Sequence, residues 1–213
     1  MAYNTPMRPS LLLHWTLASL PLLCVLAALQ LGFGTEKAAE DFFFAHAGAH
    51  PALSAALKAV TDWSNPIFYG GYAVALFLAW KSGNRERMRF ICIVLCVQAV
   101  VSLLAVHFIK RTIGRPRPGR GDLFSPMTSR PAFHSLPSGH TTEIMGWSLP
   151  LALRWRRAAL SLLIGLLAGA VGFSRVYLGW HHPSDVFFGW LLGSFGGFAA
   201  HILAESSLFK KEA

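Results

Sequence analysis

Apolar and polar positions fall in long blocks along this chain, and the block lengths decide what kind of protein it is. Six stretches run almost free of charge: Leu11 to Phe33, about Ser64 to Trp80, Met88 to Ile109, about Ser138 to Leu153, Ala158 to about Gly172, and Pro183 to Ala204. A helix crossing a bilayer needs about 20 mostly apolar residues, so each stretch reads as a spanning helix. Arg8 precedes the first, as in a secretory signal. Its apolar core exceeds the roughly 7–15 residues usual in such signals, which predicts a retained helix. Gly189, Gly193 and Gly197 recur every four residues, as do Gly165 and Gly169. Small residues at that spacing let membrane helices approach closely.

The connections differ in kind. Residues 81–87 and 154–157 are short basic turns, and residues 110–137 form a long loop rich in Pro, Gly and Arg. Residues 34–63 carry Phe42-Phe43-Phe44, then Leu53, Leu57 and Val60 at helical spacing, with His50-Pro51 predicted to break the stretch in two. This segment reads as an interfacial helical connector between helices one and two, with a lid over the site as the other reading. The expected fold is an all-α integral membrane protein, a six-transmembrane-helix bundle in one domain over residues 1–213.

Composition supports lipid as the solvent. The chain is 54% hydrophobic and 14% charged, against roughly 25% charged in soluble domains. Its formal net charge is +9, but the cations sit in short loops between apolar runs, which argues against nucleic acid as a partner. Cys24, Cys92 and Cys96 lie inside apolar segments without metal-ligand spacing and read as buried, inert thiols. With both termini inside, ten loop cations, Arg8, Lys210 and Lys211 among them, face nine on the other side. Setting aside Lys110, Arg117 and Arg175, which have a chemical use, leaves ten against six. That asymmetry places the termini in the cytoplasm.

Three polar clusters interrupt the apolar blocks. They are Lys110 with Arg117-Pro118, then Pro137-Ser138-Gly139-His140, then Ser174-Arg175 with His181 and Asp185. The first two flank the loop between helices three and four, and the third lies between helices five and six. Parity therefore puts all three on one membrane face. Lys110 and Arg117 can neutralise phosphate oxygens, Arg through two parallel hydrogen bonds. Pro116 and Pro118 stiffen the backbone around Arg117. Ser138 is a good helix cap, and free N–H groups at a helix start make an anion site. Arg175 is a charge at a membrane helix end, functional by default. Asp185, in the first turn of helix six, can accept a hydrogen bond from the distal ring nitrogen of His181. Anionic ligands for magnesium are missing near the clusters apart from Asp185 and Asp122, so neither metal nor cofactor is expected.

In this order and spacing the clusters resemble the signature of the type 2 phosphatidic acid phosphatase superfamily, over residues 110–185. The resemblance implies that Lys110, Arg117, Ser138, Gly139 and Arg175 bind phosphate. It implies that His140 is the general acid and that His181 is the nucleophile forming a phosphohistidine, assisted by Asp185. His182 stands where an aromatic is usual. The spacing from Arg175 selects His181 and leaves a role for His182 open. Glu143, one turn after His140, either bonds near the site or pairs with a neighbour for folding. His14, His107 and His201 read as packed or interfacial residues, and Asp62-Trp63 as an interfacial anchor.

The implied activity is metal-independent hydrolysis of a lipid phosphomonoester or diphosphate. Phosphatidylglycerol phosphate, phosphatidic acid, undecaprenyl diphosphate and lipid A phosphate are the candidates, at the outer, periplasmic face of a bacterial inner membrane. A phosphotransferase using the same histidine, vanadate-type haloperoxidase chemistry and a non-catalytic phosphate-binding scaffold are the rivals. The sequence leaves the headgroup and the oligomeric state open.

Overall fold

The computed structural model of the chain describes residues 10–206, and within them the secondary structure is helical, without strands. Arg8, Lys210 and Lys211, used in the loop-charge comparison, lie outside the described residues. Helix α1 (Leu11–Phe33) begins under Ser10, whose side chain accepts from the Leu13 amide, and ends on Gly34. Helix α2 (Glu36–Ala49) is capped by Thr35. Helix α3 (Pro51–Lys81) has proline in its first turn, where the missing N–H would be unpaired anyway. Helix α4 (Arg85–Gln98) continues through a π-helical segment, Ala99–Ala105, into α5 (Val106–Ile113). Then follow α6 (Gly139–Trp155), α7 (Ala158–Tyr177) and α8 (Pro183–Glu205).

Four of these stretches are long and apolar enough to cross a membrane: Leu11–Phe33, Arg85–Ile113, Ala158–Tyr177 and Pro183–Glu205. The sequence pattern predicts six, and the two that fall short are α3 and α6. Helix α6 is the centre of the bundle, packing most extensively on α8 and also on α1, α3, α4 and α7. Its side chains are mostly buried against protein, so it can carry His140, Thr141, Thr142 and Glu143 without exposing them to lipid. The His50–Pro51 break occurs as expected. The connector's second half is not a separate piece, however. Leu57 and Val60 pack against the main core, and one 31-residue helix carries the connector's second half straight into the second span.

The glycine repeats lie where backbones touch. A Cβ on Gly189 would lie 2.6 Å from the Ser138 carbonyl oxygen, and one on Gly193 would lie 2.5 Å from that of Thr142. Helix α8 thus rests directly on α6 and delivers its N-terminal residues beside Ser138. The three cysteines are a correction: Cys24, Cys92 and Cys96 are exposed, not buried. In a membrane helix an apolar position can face lipid as readily as core. His14 is buried with its Nδ1 2.8 Å from the Ser161 hydroxyl, and His201 is buried. His107 is exposed and donates to the Leu103 carbonyl (2.8 Å).

Candidate active site

The C-terminus of α5, the N-terminus of α6 and the α7–α8 junction meet at one end of the bundle. The Ser138 amide donates to the Asp185 carbonyl (2.9 Å), joining the second and third clusters directly. The loop between α5 and α6 folds back because Gly114 takes a left-handed conformation (φ 62°). From there Ser125 donates to the Gly114 carbonyl, Arg117 to Ala132 and Ser135 to Arg115, at 2.8, 2.8 and 3.1 Å. Those bonds hold Arg115, Arg117 and Ser135 over the helix ends.

Three cations converge. Lys110 is 9% exposed and donates to the His134 carbonyl at 2.8 Å. Arg117 is half-buried and donates to the carbonyls of Pro131 (3.2 Å) and Trp180 (3.4 Å). Arg175 is 5% exposed, stacks 4.3 Å over the Trp180 ring and donates to Thr61 Oγ1 (3.3 Å), while its Nε has no partner. Lys110 and Arg117, and Arg117 and Arg175, lie within electrostatic range of one another. Among the described residues no carboxylate comes within 4.0 Å of any of the three. Burial lowers the pKa of Arg117. Buried cations that repel each other and lack a carboxylate are costly unless an anion joins them.

His181 is buried, its amide donating to the Arg175 carbonyl at 3.1 Å. Its Nδ1 is 3.5 Å from Asp185 Oδ2, a long approach that leaves the nitrogen without a hydrogen bond. Burial pulls its pKa down to about 3, against the opposing pull of Asp185, so the ring is neutral near pH 7. Asp185 sits in the first turn of α8 and is fully buried. His182 is turned away: its Nε2 donates to the Pro116 carbonyl (3.2 Å), and its amide donates to Asp185 Oδ2 (2.9 Å). Ser138 caps α6, accepting from Thr141 Oγ1 at 3.0 Å, with Gly139 and His140 as the first two helical residues. His140 is within electrostatic range of Lys110, Arg117 and Arg175. The structure therefore gathers Lys110, Arg117, Ser138, Gly139, His140, Arg175, His181 and Asp185 at one locus.

Sequence reasoning missed the shell that holds Asp185. Arg115 Nη1 donates to Asp185 Oδ1 (2.7 Å) and Nη2 to Glu36 Oε2 (2.6 Å), while the Ser135 hydroxyl donates to Asp185 Oδ2 (2.5 Å). Glu36 also accepts from the Ser184 amide (2.8 Å). Burial opposes ionisation of Glu36, but the Ser184 bonds and Arg115 outweigh it and hold its carboxyl below the ordinary range. The one available signal was Arg115 beside Pro116, mirroring Arg117-Pro118. Glu143 has a specific partner, the Tyr69 hydroxyl at 2.5 Å. A cavity of about 680 Å³ between α3, α4 and α6, bordered by Asn84, Arg87 and Arg154, lies away from all these residues.

The lipid A 1-phosphatase of Rhizobium johnstonii is 33% identical over 148 residues, covering 65% of this chain and 54% of that protein. Undecaprenyl-diphosphatase BcrC of Bacillus subtilis is 30% identical over 116 residues, 54% of this chain and 58% of the relative. The undecaprenyl-diphosphatase of Sulfolobus acidocaldarius is 31% identical over 144 residues, 64% of each. The chain thus spans between half and two thirds of the length of these relatives. No solved structure matches it. The family model described as the PAP2 superfamily matches residues 88–207, which takes in all three clusters and every helix that converges on them from α4 onward; the chain belongs to that superfamily.

Proposed function

We propose that this protein is a multi-pass membrane phosphatase that hydrolyses a phosphomonoester or diphosphate of a membrane lipid through a phosphohistidine. The observation that carries the reading is the set of three convergent cations without carboxylate partners, two of them almost fully buried, beside a buried neutral histidine. A dianionic phosphoryl group supplies the missing charge, and preorganised cations are worth most in a water-poor site.

In this mechanism Lys110, Arg117, Arg175 and the start of α6 at Ser138 and Gly139 hold the phosphoryl oxygens. His181 Nε2 attacks phosphorus, and the P–O bond to the lipid alcohol or phosphate breaks. His140 gives the leaving oxygen its proton. Asp185 accepts the hydrogen bond from His181 Nδ1, so the ring carries the developing positive charge; the 3.5 Å approach closes as substrate docks. His140, now a base, takes a proton from water, whose oxygen attacks phosphorus. The N–P bond breaks, releasing inorganic phosphate. No step needs a metal ion.

The remaining two spans are α6 and the C-terminal half of α3, completing six, and α2 lies at the interface. The loop charges support a site on the outer face of a bacterial inner membrane. Lipid A phosphates and undecaprenyl diphosphate, named in the relatives, are candidate substrates, as are phosphatidic acid and phosphatidylglycerol phosphate.

The test is covalent trapping. Purified protein is mixed with 32P-labelled lipid phosphate, quenched in base and examined for protein-bound label. Label is expected in the wild type and in His182→Ala, and lost in His181→Ala together with turnover. Label that persists in His181→Ala, or disappears only in His182→Ala, refutes the assignment. Label appearing on another lipid instead of free phosphate would make the protein a transferase.

A further inference from the structure

The cavity of about 680 Å³ between α3, α4 and α6 takes no part in the chemistry above, yet its size falls within the roughly 300–1,000 Å³ of ligand sites. Helix direction fixes where it opens. The stretch Arg85–Ile113 is long and apolar enough to cross a membrane, and Lys110 lies near one end of it. Asn84, Glu86 and Arg87 lie at the other end, so the cavity opens on the membrane face opposite the phosphate site. From that mouth it extends along α3 as far as Ile67, fourteen residues before the helix ends at Lys81. At 1.5 Å per residue this is about 21 Å. One leaflet with its headgroup layer is about 20–22 Å deep.

The two ends of the cavity differ in chemistry. Phe68 and Tyr72 of α3, Phe90 and Ile91 of α4 and Leu151 of α6 form the deep walls. The Tyr72 hydroxyl is already engaged, donating to the Trp147 carbonyl at 2.8 Å. Gly71 leaves the α3 wall open, since a Cβ there would meet nothing within 4 Å. The mouth is charged. Arg154 Nη2 donates to Glu86 Oε1 at 2.6 Å, and the Arg154 guanidinium lies 4.6 Å over the Phe90 ring. Arg87 is exposed, and among the described residues no carboxylate comes within 4.0 Å of it. The turns around the mouth, 81–87 and 154–157, carry Lys81, Arg85, Arg87, Arg154, Arg156 and Arg157 against one carboxylate, Glu86. An apolar cleft one leaflet deep, with a surplus of cations at headgroup level, complements an amphiphile with an anionic head.

We infer that this cleft binds an anionic phospholipid from the leaflet opposite the phosphate site. One acyl chain lies between α3, α4 and α6, and the headgroup phosphate accepts from Arg87. A zwitterionic lipid fits less well, because the same cations repel its ammonium group. The bound chain fills a gap between two helices that both reach the phosphate site, α3 through Thr61 and α6 through His140.

The experiment is photo-crosslinking of the full-length protein in phosphatidylcholine vesicles. The probe is a trace of phosphatidylglycerol carrying a diazirine midway along one acyl chain. Cross-links are expected on peptides containing residues 67–75 and 84–91, and added phosphatidylglycerol should displace them where added phosphatidylcholine does not. Arg87→Gln should weaken the competition about tenfold, the loss of one charge-assisted hydrogen bond. Gly71→Phe, whose ring enters open space, should abolish labelling of those peptides. Arg87 is an exposed position, so its variant keeps the test decisive should Gly71→Phe fail to fold. Cross-links confined to the neighbourhood of Lys110 and His140 would show the lipid held at the phosphate site instead and overturn the inference. Labelling spread evenly over lipid-facing residues, equal labelling by a phosphatidylcholine probe of the same design, or labelling unchanged in both variants overturns it too.

Discussion

Substituting Gly189 by alanine should damage catalysis without replacing any residue assigned a chemical role. The added Cβ would lie 2.6 Å from the Ser138 carbonyl oxygen and 3.1 Å from Thr141 Cβ. Ordinary contact begins near 3.4 Å, so α8 must retreat from α6 by about 0.8 Å. Ser138 cannot yield instead, because its carbonyl also accepts from the Thr142 amide and hydroxyl, each at 3.0 Å. Rigid retreat would stretch the 2.9 Å bond from the Ser138 amide to the Asp185 carbonyl to about 3.7 Å, beyond hydrogen-bonding range. That contact sets the spacing between the start of α6, carrying His140, and the start of α8, carrying Asp185 and, just before it, His181. Overpacking of this kind costs about 1–3 kcal/mol, and a misplacement near 1 Å costs up to about 10² in rate. Gly189→Ala is therefore expected to lower kcat roughly 10- to 100-fold, with Tm down by several degrees. Gly196→Ala is the control on the same helix, since its Cβ would meet Val101 at an ordinary 3.4 Å. The assay is phosphate release from nitrophenyl phosphate in detergent, paired with thermal unfolding. A Gly189→Ala kcat within twofold of wild type, or an equal loss in Gly196→Ala, refutes the argument that this contact sets the site.

Two further outcomes follow from the shell and from the buried imidazole. Arg115→Ala removes the guanidinium partner of a fully buried carboxylate; kcat should fall about 10- to 100-fold with KM little changed, and Arg115→Lys should recover part of it. A loss confined to KM would show that Arg115 acts on substrate and not on Asp185. His181 protonates more readily in the unfolded chain, near its ordinary 6.5, than in the fold, where burial holds it near 3. Its contribution to stability is thus complete above about pH 6.5 and is lost as pH falls toward 3. The acid-side fall in Tm should be shallower for His181→Gln than for the wild type, and parallel curves would contradict the buried, neutral state.

The sequence revealed what depends on local pattern. Helix α1 has the predicted bounds, the His50–Pro51 break is present, and Ser138 and Asp185 sit at the helix starts assigned to them. The three remote clusters meet at one end of the bundle, as their places at helix ends led us to expect. What was hidden depends on neighbours. Arg115, Ser135 and Glu36 are ordinary loop and helix-start residues until tertiary structure places Asp185 among them. The cysteines mislead for a related reason. Hydropathy reports how apolar a stretch is, not whether lipid or protein covers it. Cys24, Cys92 and Cys96 face outward from apolar helices, whereas α6, less apolar, is the most enclosed.

The choice between lid and connector for the segment after α1 can be decided by its bonds. Helix α2 holds the site at several points. Glu36 accepts from Ser184 and Arg115, Glu40 accepts from the Gly119 amide (3.1 Å), and His46 Nδ1 lies 2.9 Å from the Tyr177 hydroxyl. Phe43 adds ring contacts with Phe173 and Tyr177. These bonds reach the loop between α5 and α6, the end of α7 and the start of α8, the three arcs that must stay in register. Opening α2 as a lid would break four polar contacts, each worth about 0.5–1.5 kcal/mol net. The sum, roughly 2–6 kcal/mol, limits an open form to a few per cent or less. It would also strip Arg115 of Glu36 while Arg115 is holding Asp185. A helix whose departure loosens the machinery of the site is a clamp on it.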